Sequence, residues 1–110
     1  MQMTQVQQSI NQIEECADQA MAALRTDGDA TPDELRRCVS EMHRQARQAK
    51  DLAREASDEQ EVIGTIDKLE ETGDRALQAC REAGTGVAPQ LQTAVKRTHD
   101  EISRLKDELH

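Results

Sequence analysis

Apolar residues in this chain fall on a heptad beat four separate times, and no aromatic side chain interrupts the rhythm. In the first segment Met3, Val6, Ile10, Ile13, Ala17, Ala20 and Leu24 follow one another at alternating steps of three and four residues. That spacing puts all seven on one stripe of an α-helix, because side chains three and four apart share a face. The second segment repeats it with Leu35, Val39, Met42, Ala46, Ala49, Ala53 and Ala56, with Leu52 alongside. The third carries Val62, Ile63, Ile66, Leu69, Gly73, Ala76, Leu77 and Cys80, and the fourth Leu91, Val95, Thr98, Ile102, Leu105 and Leu109. Four amphipathic helices with short connections predict an all-α fold: an antiparallel up-down-up-down four-helix bundle with left-handed heptad packing, formed as one domain by all 110 residues.

The interruptions place the helices at about residues 4–25, 32–56, 58–83 and 87–109. Thr26-Asp27-Gly28-Asp29-Ala30 reads as a turn, and Thr31-Pro32-Asp33-Glu34 as a capping box with proline in the first helical position. Gly84-Thr85-Gly86 stops the third helix and Pro89 opens the fourth. The middle connection has neither Gly nor Pro, so its break rests on Ser57-Asp58-Glu59-Gln60 as a second capping box. Ala49, Leu52, Ala56, Ile63 and Ile66 nearly keep one phase, so an unbroken helix from Pro32 to Ala83, which would require a dimer, is the alternative.

Volume and charge suggest how the helices pair. Bulky Met3, Val6, Ile10 and Ile13 should face the alanines at 46, 49, 53 and 56, while Ala17 and Ala20 face Leu35, Val39 and Met42. The third helix carries a net charge of −5 and the second is rich in Arg, so their flanks are expected to attract. Val62, Leu69, Leu52 and Ala79 read as apolar residues left over for a docking strip.

The net charge of −8 repels phosphate backbones and anionic lipid, which argues against nucleic-acid and membrane partners. No apolar run approaches the roughly 20 residues of a membrane span, and no basic-then-apolar leader follows Met1. Three cysteines, an odd number without a C-x-x-C, read as free thiols in a reducing compartment, so the expected location is cytoplasmic.

Sites of chemistry are sparse. A di-iron bundle needs Glu-x-x-His on two helices, and the motif does not occur among His43, His99 and His110. Cys16, Cys38, Cys80, Met42 and His99, with Met21 nearby, form the candidate soft-ligand set for Cu(I) or zinc, or for a redox response. Against that stands their ordinary use as small or adaptable core fillers. His43, beside Arg44 and Arg47, resembles the exposed histidine of histidine phosphotransfer domains. Those usually place Lys and Gly about three and four residues on, where this chain has Ala46 and Arg47. Asp27-Gly28-Asp29 resembles the start of an EF-hand loop, but Pro32 and Cys38 occupy the places of its Gly and Glu. No nucleophile elbow or phosphate loop is present. The expectation is therefore a non-catalytic, acidic interaction or structural module without a cofactor, binding itself (a possible homodimer) or another protein, with the thiol site and phosphotransfer as alternatives.

Overall fold

The structure, a computed structural model, describes residues 3–27, 31–55 and 58–109. The expectations resting on the Met3 side chain, the 28–30 turn, Ala56, Ser57 and His110 lie outside the described residues. The described residues form α1 (Met3–Asp27), α2 (Asp33–Arg54), α3 (Glu59–Ala83) and α4 (Pro89–Leu109), with a 3-10 turn at Gly84–Gly86. Each helix packs on two others, α1 and α3 both lying against α2 and α4, which gives a square ring about 41 Å long.

Neighbours run in opposite directions. Along α1 the contacts climb from Gln7 to Glu14 to Asp18, while on α2 they fall from Ala53 to Lys50 to His43. Asp67, Glu70 and Asp74 of α3 meet Lys106, Lys106 and His99 of α4 in the same sense. Between α2 and α3, Glu41 reaches Arg75, while Cys38 and Cys80 share one core cluster and Ala53 and Val62 the other. The bundle is antiparallel throughout.

The interior is filled by the heptad stripes. Val6, Ile10, Ile13 and Ala17 pack with Met42, Ala46, Ala49 and Ala53 of α2, with Val62, Ile66 and Leu69 of α3, and with Ile102 and Leu105 of α4. A second cluster continues below through Ala20, Leu24, Leu35, Cys38, Val39, Ala76, Cys80, Leu91 and Val95. Three threonines enter this core because each hydroxyl donates back to the carbonyl four residues earlier: Thr65 to Glu61, Thr72 to Lys68 and Thr98 to Ala94. That satisfies the buried hydroxyl without a partner from another helix.

The helix starts differ from expectation at two caps. Pro32 stands in the cap position of α2 rather than inside the helix, with extended ψ of 144° and no side-chain cap bond, and its carbonyl accepts from Arg36 N–H at 3.0 Å. At α3 the cap is Asp58, whose carboxylate accepts from Gln60 N–H at 3.0 Å. At the end of α3 Gly84 takes φ of +59°, a conformation costly for any residue with a Cβ.

The break between α2 and α3 forms although no Gly or Pro imposes it. Ala53 and Val62, the last core residue of α2 and the first of α3, are nine residues apart, or two and a half turns at 3.6 residues per turn. A straight continuous helix would therefore aim the α3 stripe away from the side that α2 buries. Reversing the chain brings both stripes to one axis, so the single-rod alternative does not form.

Two packing expectations change. Val62, Leu69 and Ala79 are buried and Leu52 packs partly against the core, so they do not form a leftover strip. In a ring each helix meets two neighbours, which buries a wider face than a two-helix seam would. The α2–α3 attraction also runs in reverse: in the bridge Glu41–Arg75 (3.8 Å) α2 supplies the acid and α3 the base. Lys50 and His43 of α2 turn instead toward α1.

Leu69 tests the core assignment. Leu69→Ala should cost about 2–5 kcal/mol in urea or thermal unfolding, the range for a fully buried leucine, whereas a surface leucine would change stability by under about 0.5 kcal/mol.

Candidate functional site

The charged side chains that approach one another between helices lie along the outer seams, above the apolar core. On the α1–α2 seam His43 Nε2 meets Asp18 Oδ1 at 2.5 Å, and Lys50 Nζ donates to Glu14 Oε1 at 2.9 Å. On the α3–α4 seam His99 Nε2 meets Asp74 Oδ1 at 2.6 Å, and Lys106 Nζ donates to Glu70 Oε1 at 2.6 Å. The histidine lies 25 residues beyond its aspartate in both seams, and the lysine 36 residues beyond its glutamate in both. Both imidazoles are mostly covered (20% and 19% side-chain exposure) while their aspartates are open (58% and 62%), so each ring is laid against the helices and tethered at its outer edge.

Gly73 explains how α4 comes close at that depth. A Cβ there would stand 3.3 Å from His99 Cδ2, so the missing side chain makes room for the imidazole. Lys106 is held above its usual value chiefly by the Glu70 bond.

The candidate soft ligands are spread over the bundle. Cys38 and Cys80 are buried in the lower cluster, close enough that a thiolate at Cys38 would disfavour one at Cys80. Cys16 is half-buried on α1 beside Arg97 and Glu101 of α4, and Met42 is enclosed in the upper cluster. His99 is engaged by Asp74, and Met21 receives a weak bond from the Ser40 hydroxyl at 3.9 Å. Among the described residues no three His, Cys, Asp or Glu side chains gather in a form that could hold a metal ion. Burial is the leading cause that pushes all three thiols up, so the thiolate needed for metal or disulfide chemistry is disfavoured at each. His43 has one ring nitrogen committed to Asp18.

Sequence reasoning named both histidines but missed their partners Asp18 and Asp74 and the Lys–Glu bonds beside them. The signal was the recurrence of one His–Asp and one Lys–Glu spacing in two places, which a scan of individual motifs does not compare.

One other face stands out. Arg37, Arg44 and Arg47 are exposed on the outward side of α2, and none makes an ion pair with a described residue. Acids share α2 with them: Asp33 and Glu34 at its start, half-buried Glu41 between Arg37 and Arg44 and turned to Arg75 at 3.8 Å, and Asp51, bridged to Arg54 at 3.6 Å. Among the described residues no helix is long and apolar enough to cross a membrane. No family model matches the chain, and comparison with curated proteins and with solved structures likewise gave no match.

Two outcomes check this geometry. Iodoacetamide at pH 7–8 should modify Cys16 first, with Cys38 and Cys80 lagging at least tenfold until the fold is denatured, read by peptide mass spectrometry. Lys106 should weaken the fold in alkali. Its raised value means that its contribution is full below the ordinary lysine value of 10.5 and lost as pH rises through the folded value. Glu70→Gln should flatten that alkaline loss in pH-dependent unfolding.

Proposed function

We propose that this chain is a non-catalytic interaction module which binds an acidic segment of a partner protein along the outer face of α2. The observation that carries the reading is the row Arg37, Arg44 and Arg47: cations on the surface of a chain of net charge −8, without an ion pair to any described residue. Arg37 and Arg44 are one heptad apart and Arg47 lies one turn further on, so they form a ridge of roughly 15 Å at 1.5 Å per residue. Guanidinium groups suit carboxylates, which they engage through paired hydrogen bonds. An acidic helix or strand laid along the ridge would meet them in turn.

The filled interior supports a binding role over a catalytic one, because the bundle places its ionisable groups in outer seams where they pair across helices. The surrounding acidity favours a protein carboxylate over nucleic acid, since the net field opposes a long polyphosphate while a short acidic segment meets only the local ridge. A reducing, cytoplasmic setting suits three thiols kept apart from disulfides.

The probe is a short peptide, hexa-L-glutamate, with a double-stranded DNA oligonucleotide as the competing polyanion. At 50 mM salt the parent should bind hexa-L-glutamate at least tenfold better than the triple variant R37E/R44E/R47E, with little binding of DNA by either. The variant's melting temperature should stay within about 3 °C of the parent's, because the three side chains are exposed. Equal binding of the peptide by parent and variant, or stronger binding of DNA, would contradict the proposal.

A further inference from the structure

The duplicated seams point to a repeat in the chain. Setting each residue beside the one 56 positions later aligns residues 1–54 with 57–110 without a gap, and 14 positions carry the same residue. A shift of 56 is eight heptads, so matching apolar positions such as Ile10 with Ile66, or Val39 with Val95, is what any heptad protein would show. Heptad spacing does not explain the polar matches: Glu14 with Glu70, Glu15 with Glu71, Asp18 with Asp74, Arg25 with Arg81, His43 with His99, Lys50 with Lys106 and Asp51 with Asp107. Four of these seven make up the two seams, and they bond through the same atoms at nearly the same distances. The α1–α2 hairpin and the α3–α4 hairpin are two versions of one unit.

The polar ties respect that division. The His–Asp and Lys–Glu bonds, and that from Gln7 to the Ala53 carbonyl, all join helices of the same hairpin. Between the hairpins, among the described residues, Arg75 and Glu41 form a long, exposed ion pair at 3.8 Å. Each hairpin is thus zipped internally and meets the other through apolar stripes. The connection between them, residues 55–58, spans up to roughly 14 Å when extended.

We infer that the apolar face each hairpin buries is a docking surface for the complementary hairpin of a second copy of this chain, so that two chains trade hairpins into a dimer. Every contact within one bundle is reproduced in the exchanged form, so the cost is that of bringing two chains together, and the dimer is favoured by concentration. This goes beyond the acidic-partner reading and does not rest on it, since it uses the covered face of the hairpins rather than the outer ridge of α2.

The test makes exchange the only way to repair the core. Ala49 of α2 and Ile66 of α3 share the upper cluster, and the Glu41–Arg75 register brings them to the same level. Ala49→Leu adds bulk to the first hairpin and Ile66→Ala removes it from the second. Each full-length variant alone should melt roughly 5–20 °C below the parent. In an equimolar, co-refolded mixture the exchanged dimer pairs the bulky hairpin with the hollowed one, and the two unaltered hairpins with each other. The mixture should recover most of the lost melting temperature and give twice the 12.3 kDa chain mass by light scattering. If one variant is unfolded by itself, the mixture should still regain helicity at 222 nm. A mixture that melts as the sum of its components and stays at the single-chain mass, or that stays unfolded, overturns the inference.

Discussion

Everything in this fold depends on large aliphatic side chains meeting alanines across a shared axis. Aromatic side chains, which usually supply much of a small core's bulk, are lacking, so four narrow stripes must approach closely to exclude water. The alanines of α2 at 46, 49 and 53 permit that approach, and Ile10, Ile13, Ile66 and Leu69 fill the space they leave. Gly73 serves the same purpose for α4 by admitting the His99 ring. Close packing of this kind is intolerant of added or lost volume, because interiors are already near crystal density.

That core also decides where charge can go. With the axis closed to ionisable groups, lysines, histidines and carboxylates lie in the seams, where a bond between neighbouring helices fixes their relative height. Individually such exposed pairs contribute little, about 0–1 kcal/mol. Their value is in register: a one-turn slip of α2 against α1 would separate Lys50 from Glu14 and His43 from Asp18 together. The outer faces are under no such constraint, and there the two hairpins differ most. Arg37, Arg44 and Arg47 in the first correspond to Thr93, Asp100 and Ser103 in the second. The seams hold the unit together, and the surface is free to specialise, which is why the arginine ridge belongs to one hairpin alone.

The four helices were legible because a period of three and four residues is a direct record of which side chains face inward. Val39, Ile66 and Ile102 were placed in the core on that basis and are fully buried. The caps were less legible. Ser57 has the right chemistry for a cap, but so does Asp58, which takes that position at α3; at α2 the cap position falls to Pro32, whose side chain can accept nothing, rather than to Thr31. Val62 and Leu69 were misjudged as spare although they stand on the central stripe of α3 with Ile66, Gly73 and Ala76; the half-buried flank positions are Ile63 and Leu77. The seam pairs were missed for a different reason. Their partners are separated by 25 and 36 residues, so they become neighbours only once the turn geometry is known, and comparison of the two halves of the chain is the one sequence-level operation that reveals them.

Amide hydrogen exchange on the intact chain reads the shared core most directly. If the four stripes close on one axis, amides around Ile13, Met42, Ile66 and Ile102 should exchange through a common opening, with protection factors within about tenfold of one another across all four helices. Protection confined to one hairpin, with the other exchanging at the rate of an unstructured chain, would contradict the account.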